Sequence, residues 1–464
     1  MSTNENNKSV ILAMSGGVDS SVAAYLLKQQ GYNVTGVTMR LCEEYCDNDD
    51  VCGTGTADGA STDIELCPAA SNIDLARSVA DKLDMEFMVL DYRNEFQEFV
   101  INPFVESYEK GLTPNPCIEC NKNIKFSMLA NDSDEGYERD MEHAPLLATG
   151  HYARVMPSSD LSVSGTSSCQ GADGNTTDCL SDCSSEIHFL DSRSDSCIDS
   201  CNDARYVPCD ICSSELAWND YVLCKATDFS KDQSYFLYSL DQDTLSRVIF
   251  PLGNLTKDEV RTIASEQSFT NANRKDSQDI CFISDGDYYE FIKSYTGNDY
   301  PEGNFVDTQG NVLGRHKGII KYTVGQRKGL GLSLKEPMYV FRLDMERNEV
   351  VLARDEELYS TDLIADNFNW LSIKCPVDTI SFNVGTSGDV AGSIKCLVDT
   401  ISFRALGRIR YRHKEAPCTV TVIDNETVSV KFDEPQRAIT GGQSLVLYDI
   451  ESDKYVLGGG IIRA

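Results

Sequence analysis

The chain has 464 residues, more than one simple core organises, so two or three domains are expected. Its composition is globular, 41% hydrophobic and 25% charged, and no apolar run approaches a membrane span. The opening MSTNENNKSV lacks a basic and apolar leader, so a soluble, cytoplasmic protein without a membrane partner is expected. A net charge of −32 counts against a nucleic-acid partner unless a local basic surface exists. Without an export signal, the 18 cysteines point to thiol, metal or redox chemistry rather than a disulfide framework.

Val10 to Ala13 is a short apolar run that reads as a buried strand. Ser15-Gly16-Gly17-Val18-Asp19-Ser20-Ser21 follows it, and Val22, Ala23, Leu26 and Leu27 then recur at helical spacing up to Gly31. A strand, a glycine-rich turn and a helix start make an anion cradle, because unpaired N–H groups face a phosphate that the glycines let approach. Ser15, Ser20 and Ser21 can add hydroxyl donors, and Asp19 can hold magnesium on the phosphates. The loop lacks the lysine of a Walker motif, which disfavours a P-loop kinase or GTPase.

Asn33 to Met39 and Glu86 to Leu90 read as further strands, with a helix between them capped at Ser71 or Asn72. Strands alternating with helices predict a doubly wound parallel sheet, with ligand at the carboxyl ends of its strands. The polar loop 41–67 carries Cys42, Cys46, Cys52 and Cys67 at spacings unlike a zinc site, so weakly structured thiols are expected there. In Thr113-Pro114-Asn115-Pro116-Cys117-Ile118-Glu119-Cys120, two prolines force an extended turn before a helix. A helix dipole at that turn would lower the thiol pKa of Cys117 and Cys120. Leu146 to Tyr152 reads as a strand running into a functional loop.

Between 157 and 220 there are seven cysteines and twelve acidic against two basic residues, a composition that predicts a disordered insertion. Cys209 and Cys212 lack the second pair of a metal site. Thr256 and Glu259 form a capping-box signature at a helix start. Cys281 lies in a polar loop beside Asp276, Ser277 and Gln278. From about 303 onward, short alternating segments predict a mostly β region, barrel-like in its later part. Within it, Ser372–Phe382 recurs as Ser393–Phe403, and one copy is expected in the strand with the other looped out. The expected domains are a catalytic unit over 1–235, a small mixed central unit over 236–310, and a C-terminal β-barrel over 311–464.

SGGVDSSV, TPNPCIECNKNIKF, ATGHYAR, KDQSYFL, DSQDICFI and YTVGQRKGLG stand here in the order found in the tRNA-specific 2-thiouridylases, within the SGGxDS ATP pyrophosphatases. The chain resembles that family except in loop 41–67, the insertion and the duplication. The resemblance implies ATP-dependent adenylation of the wobble uridine (position 34) of tRNA, then sulfur transfer giving 2-thiouridine, AMP and pyrophosphate. It places Ala13, Met14, Ser15, Gly16, Gly17, Val18, Asp19, Ser20, Met39 and Gly150 at the ATP site. Asn115, Pro116 and Cys117 would meet the target base, Cys120 would be catalytic, and Cys281 would carry a persulfide. His151, Lys231, Asp232, Gln233, Arg410, Tyr411 and Gln443 fall at tRNA-contacting positions. The segment 407–414 adds four basic side chains for phosphate binding.

Cys117 departs from the aspartate that many members place there. Cys117, Cys120 and Cys281 therefore resemble the set that holds a 4Fe–4S cluster in some thiolases, an alternative with sulfide as donor. In the persulfide route the donor would be a cysteine desulfurase or a relay protein. A monomer with ATP and magnesium completes the expectation. The competing classes are another SGGxDS ligase, which would lack the paired cysteine motifs, and a cysteine-rich metal-binding protein, which would turn over no ATP.

Overall fold

The computed structural model describes residues 8–42, 68–134, 144–161, 216–272, 274, 280–283, 286–376 and 401–463. Chain order begins with β1 (Ser9–Ala13), α1 (Val18–Gln29), β2 (Asn33–Arg40), α2 (Pro68–Lys82) and β3 (Glu86–Asp91). Helix α2 starts ahead of the expected cap at Ser71 or Asn72, on a proline whose missing N–H costs a first turn nothing. Two long helical runs follow, α3 over 93–109 and α4 over 116–134, each carrying a π-helical stretch, Gln97–Ile101 and Cys120–Met128. Next come β4 (Leu146–Thr149), the hairpin β5 (Ala153–Pro157) and β6 (Tyr221–Lys225), α5 (Gln242–Arg247), β7 (Val248–Ile249) and α6 (Lys257–Glu266).

The first sheet runs β3-β2-β1-β4-β7 with every pair parallel, as the strand–helix alternation predicts. Its order reverses between β1 and β4, which opens the usual ligand crevice beyond their carboxyl ends. Val10, Leu12, Val22, Ala23 and Leu27 are buried in the core between sheet and α1, which also receives Val260 and Ala264 of α6. An edge at 235 would therefore cut the unit, because β7 and α6 return to it.

The second unit holds α7 (Tyr288–Thr296) and a four-stranded sheet of β8 (Gly303–Asp307), β9 (Val312–His316), β10 (Tyr339–Asp344) and β11 (Glu349–Ala353), ordered β10-β11-β8-β9. Its core extends into α3 through Phe104, Val105 and Tyr108. The third unit is a closed antiparallel barrel of β12 (Tyr359–Asn369), β13 (Ser402–Arg408), β14 (Ala416–Asp424), β15 (Thr427–Arg437), β16 (Ser444–Tyr448) and β17 (Val456–Ile462). Closure satisfies the edge strands that an open sheet would expose. Tyr235, Tyr238 and Phe250 share one core with Val446, Tyr448 and Val456, so the barrel packs directly on the first unit.

The acidic, cysteine-rich stretch leaves β5 and returns to β6, whose ends pair Pro157 with Tyr221. Residues 162–215 lie outside the described residues, but Leu216 is buried in the barrel core and Trp218 bridges Ile373. The expected insertion thus ends before 220. Both copies of the duplication contribute to the barrel: Ser372, Ile373 and Cys375 are buried from the first, and Ile401 and Phe403 from the second, while 377–400 lie outside the described residues. Among the described residues only the second copy enters a barrel strand, with Ser402 and Phe403 opening β13, while the first copy contributes one isolated bridge at Ile373.

Candidate active site

At the nucleotide loop, β1 ends and Met14 N–H donates to the Val37 carbonyl across 2.7 Å, fixing where the chain turns. Gly16 has φ +69, and a Cβ there would collide with the Asn72 backbone, so the loop accepts glycine alone. Gly17 caps α1 without any side-chain hydrogen bond, which leaves the first-turn N–H groups free for an anion. The Ser20 and Ser21 hydroxyls turn inward to the Gly17 carbonyl at 3.1 and 3.0 Å, so they brace the loop rather than reach a ligand. Ser15 is exposed at the turn.

The loop is held from three distant segments. Asn271 donates to the Gly16 carbonyl and the Ser21 hydroxyl, both at 2.9 Å. Gly150 packs so closely that a Cβ would lie 2.9 Å from Ser20 N and 3.0 Å from the Asp19 carbonyl carbon. Asp19 accepts from Tyr152 Oη at 2.8 Å and forms an ion pair with Lys257 Nζ at 2.8 Å. Ala13, Val18 and Met39 complete the surroundings, Met39 packing at the carboxyl end of β2.

The second half of the site is a crowded thiol pocket. Asn115 Oδ1 accepts from Cys117 N–H at 3.3 Å and starts α4, with Pro116 in its first turn. Cys117 and Cys120 then lie three residues apart on one helical face, Cys117 exposed and Cys120 buried. Cys120 packs with Phe96, Val100 and Ile124, and Phe282 joins that cluster beside Cys281. The Phe282 ring meets Phe96 and Phe104 edge-on at 5.6 and 5.3 Å, which fixes the segment carrying Cys281. Cys42 also packs on this cluster, so at least this cysteine of loop 41–67 is structured, contrary to expectation.

Burial raises the Cys117 and Cys120 thiols and outweighs the positive charge of Lys125. It pushes Cys281 up to about 12, with the neighbouring Cys120 adding to the shift, and Cys42 up to about 11. Cys117 and Cys281 keep an exposed face although protein crowds them on the other sides. The helix-dipole expectation of lowered thiol pKa values is thus overturned, since desolvation dominates a four-residue helical turn. Lys125, within the π-helical stretch, stands near the thiols, and its Nζ donates to Asn121 Oδ1 at 3.0 Å.

Among the described residues, no three Cys, His, Asp or Glu side chains converge to hold a metal ion. A 4Fe–4S cluster makes a different demand, because each of its cysteines binds a separate iron; Cys120 and Cys117 stand near enough to Cys281 to raise its pKa. The 149–152 segment runs from the nucleotide loop to Phe126, in the helical run that carries Cys117 and Cys120. Gly150 packs on the loop, Tyr152 bonds Asp19, and between them His151 faces Phe126 and Phe250 with Nδ1 2.7 Å from Thr149 Oγ1. Burial, then the Lys125 charge, holds His151 well below the ordinary histidine value, so the ring is neutral.

The residues expected to contact tRNA divide. Lys231 and Tyr411 are half-buried, Tyr411 against Phe236 with ring centroids 4.3 Å apart. Arg410 lines a cleft of about 570 Å³ with Lys321, Thr323 and Gln326, which none of the loop or thiol residues lines. Gln233 instead accepts from Tyr152 N–H at 2.9 Å, and Gln443 donates to the Thr113 carbonyl at 2.7 Å, so both side chains brace the site. Asp232 is buried against Arg408, which removes Arg408 from the expected basic surface at 407–414 and leaves Arg412 and Lys414 exposed. Sequence reading missed Tyr152, Lys257, Asn271, Lys125 and the place of Cys42.

The three units define a composite protein: a nucleotide-binding α/β unit, a small mixed sheet, and a closed barrel that braces the thiol turn. Family profiles agree, matching a tRNA methyl transferase HUP domain over 8–178 and 170–285, a tRNA methyl transferase PRC-barrel domain over 289–354, and an Aminomethyltransferase beta-barrel domain over 360–462. The tRNA-specific 2-thiouridylase MnmA of Clostridioides difficile (strain 630) is 37% identical over 459 residues, 98% of each chain. That of Lachnoclostridium phytofermentans is 36% identical over 457 residues, covering 98% of this chain and all of the relative. The chain belongs to the tRNA-specific 2-thiouridylase family.

Proposed function

We propose that this enzyme is a tRNA sulfurtransferase that replaces the 2-oxygen of the wobble uridine (position 34) with sulfur, consuming ATP. The observation that carries the reading is the 149–152 segment, which packs on the anion-binding loop through Gly150 and Tyr152 and on Phe126, in the helical run that carries Cys117 and Cys120, through His151. A bare nucleotide-binding domain has no use for neighbouring thiols such as Cys117, Cys120 and Cys281. The methyl transferase wording of two family profiles finds less support, because a phosphate cradle and redox-capable thiols suit adenylation and sulfur transfer.

In this proposal the uracil oxygen attacks the α-phosphate and pyrophosphate leaves. The α1 N-terminus and the Gly16–Gly17 backbone orient the phosphates. Asp19, whose side chain is 31% exposed, is the carboxylate that would hold magnesium, which supplies charge neutralisation when bound. The terminal sulfur of a Cys281 persulfide, delivered by a cysteine desulfurase or relay protein, attacks the activated carbon and AMP leaves. Cys120 then attacks Cys281 Sγ, the sulfur–sulfur bond breaks toward the nucleobase, and 2-thiouridine departs from a Cys120–Cys281 disulfide. A thiol reductant restores the pair.

Burial gives this order a physical logic. The unloaded Cys281 thiol stays protonated at neutral pH and is a poor nucleophile, whereas a persulfide is the stronger acid and ionises first. Its exposed face admits the incoming sulfur. Lys125 faces Cys117, Cys120 and Cys281 and favours their anions.

The test separates the half-reactions. Cys281→Ala should still release pyrophosphate on incubation with ATP and tRNA, while 2-thiouridine falls below roughly one part in a thousand. Loss of pyrophosphate release together with thiolation, in a folded variant, would refute the division of labour. Full thiolation by the variant would refute the persulfide route.

A further inference from the structure

The Ser-Gly-Gly loop carries no cation of its own, yet an ammonium group stands beside it. Lys257 lies in the first turn of α6, where Thr256 and Glu259 form a reciprocal capping box and Asp228 Oδ2 accepts from the Lys257 N–H at 3.0 Å. Those contacts fix the backbone and aim the side chain at the nucleotide loop. Its Nζ sits 2.8 and 2.9 Å from the two Asp19 oxygens and 5.7 Å from the Tyr152 ring centre. The side chain is 6% exposed against 31% for Asp19, so the pair opens to solvent on the carboxylate side only. A lysine in a helix's first turn opposes the macrodipole, and burying its charge adds a desolvation cost.

We propose that Lys257 is the phosphate-side cation of the nucleotide site, paired with Asp19 over the Tyr152 ring beside the loop and turned onto the β- and γ-phosphates when ATP binds. This rests on the nucleotide reading given above and adds a residue to it. The exchange conserves charge pairing: the ammonium trades one carboxylate for phosphate oxygens, and the freed Asp19 carboxylate faces the space where magnesium would bind. It also makes an AMP-bound site differ from an ATP-bound one. With pyrophosphate gone, Lys257 returns to Asp19, which favours release of the spent nucleotide.

Equilibrium binding of α,β-methylene-ATP with magnesium, and of AMP, tests this without turnover or tRNA. Lys257→Met should weaken α,β-methylene-ATP binding by about ten- to a hundredfold, the range of a charge-assisted contact, and leave AMP binding within about twofold. Lys257→Arg should recover most of the loss. Equal weakening for both nucleotides would overturn the proposal and make Lys257 a brace. So would rescue of ATP-analogue binding in the Asp19→Asn/Lys257→Met double variant, because the lysine would then serve only to neutralise Asp19. Should the unsubstituted protein bind neither nucleotide, the nucleotide reading itself fails, a result distinct from either of these.

Discussion

Two groups of buried charge hold this molecule together, and they are built on different plans. At the seam between the first unit and the barrel, Lys225 Nζ lies 3.0 Å from Glu415 and 2.7 Å from Asp453, over the Tyr448 ring. Arg408 reaches Glu415 at 3.2 Å and Asp232 at 3.7 Å. Asp232 also accepts from Ala226 N–H, Ser234 N–H and the Ser234 hydroxyl. Five charges thus interlock through Glu415, and the two most enclosed, Lys225 and Asp232, have side chains 3% and 2% exposed. At the nucleotide loop a single carboxylate and a single ammonium face each other with one side open. A network with many partners fixes one geometry, whereas a half-open pair can exchange one partner for a ligand.

The largest effect that would sharpen this contrast is expected from Asp232→Ala. Burial pushes the Asp232 carboxyl up, while the donors and Arg408 pull it down. Removing it orphans the Ala226 and Ser234 N–H groups and leaves Arg408 short of a counter-charge, a loss of about 3 to 5 kcal/mol. Urea unfolding should report that loss, and Lys257→Met should show a clearly smaller one. Unchanged stability with weaker tRNA binding would instead place Asp232 on the RNA surface and break the comparison.

A smaller effect belongs to the loop itself. Gly150→Ala puts a methyl group 2.9 Å from Ser20 N, against backbone that cannot swing away. Pushing β4 off the start of α1 should cost about 1 to 3 kcal/mol and weaken ATP-analogue binding, measured on the same protein by thermal melting and titration. Intact affinity would mean that the crevice tolerates a wider gap than the packing implies.

The strand–loop–helix signal at Val10 to Leu27 was legible because local residue types dictate it: apolar alternation, two glycines and a helical stripe. The capping box at Thr256 was legible for the same reason. What surrounds those elements was not. Lys257 meets Asp19 across 238 positions, and Asn271 meets Gly16 across 255. Local pattern holds no information about such pairs, although a lysine in a first turn is a weak clue that something compensates it. Arg408 reads in sequence as part of a solvated basic strand, and only the packed barrel shows it enclosed against Asp232. The thiol pKa values misled through the same omission, since desolvation is a property of the assembled pocket.

The smallest expected effect concerns the 149–152 segment. His151 is held neutral by burial and by Lys125, so its folded pKa lies well below the unfolded value near 6.5. As pH falls through 6.5, the unfolded chain takes up a proton that the folded one refuses, and stability is lost. Above that value the contribution is fully present, and below the folded pKa the slope ends. His316 and His413 are also lowered by burial and tilt the whole curve in the same direction. They cancel when the unsubstituted protein is compared with His151→Gln. Melting temperatures from pH 8 to 5.5 should therefore fall more steeply in the unsubstituted protein than in the variant. Lys125→Met, by removing the second cause of the shift, should give an intermediate slope. Parallel curves for all three would mean that His151 protonates freely in the folded chain, against the burial that lowers its pKa.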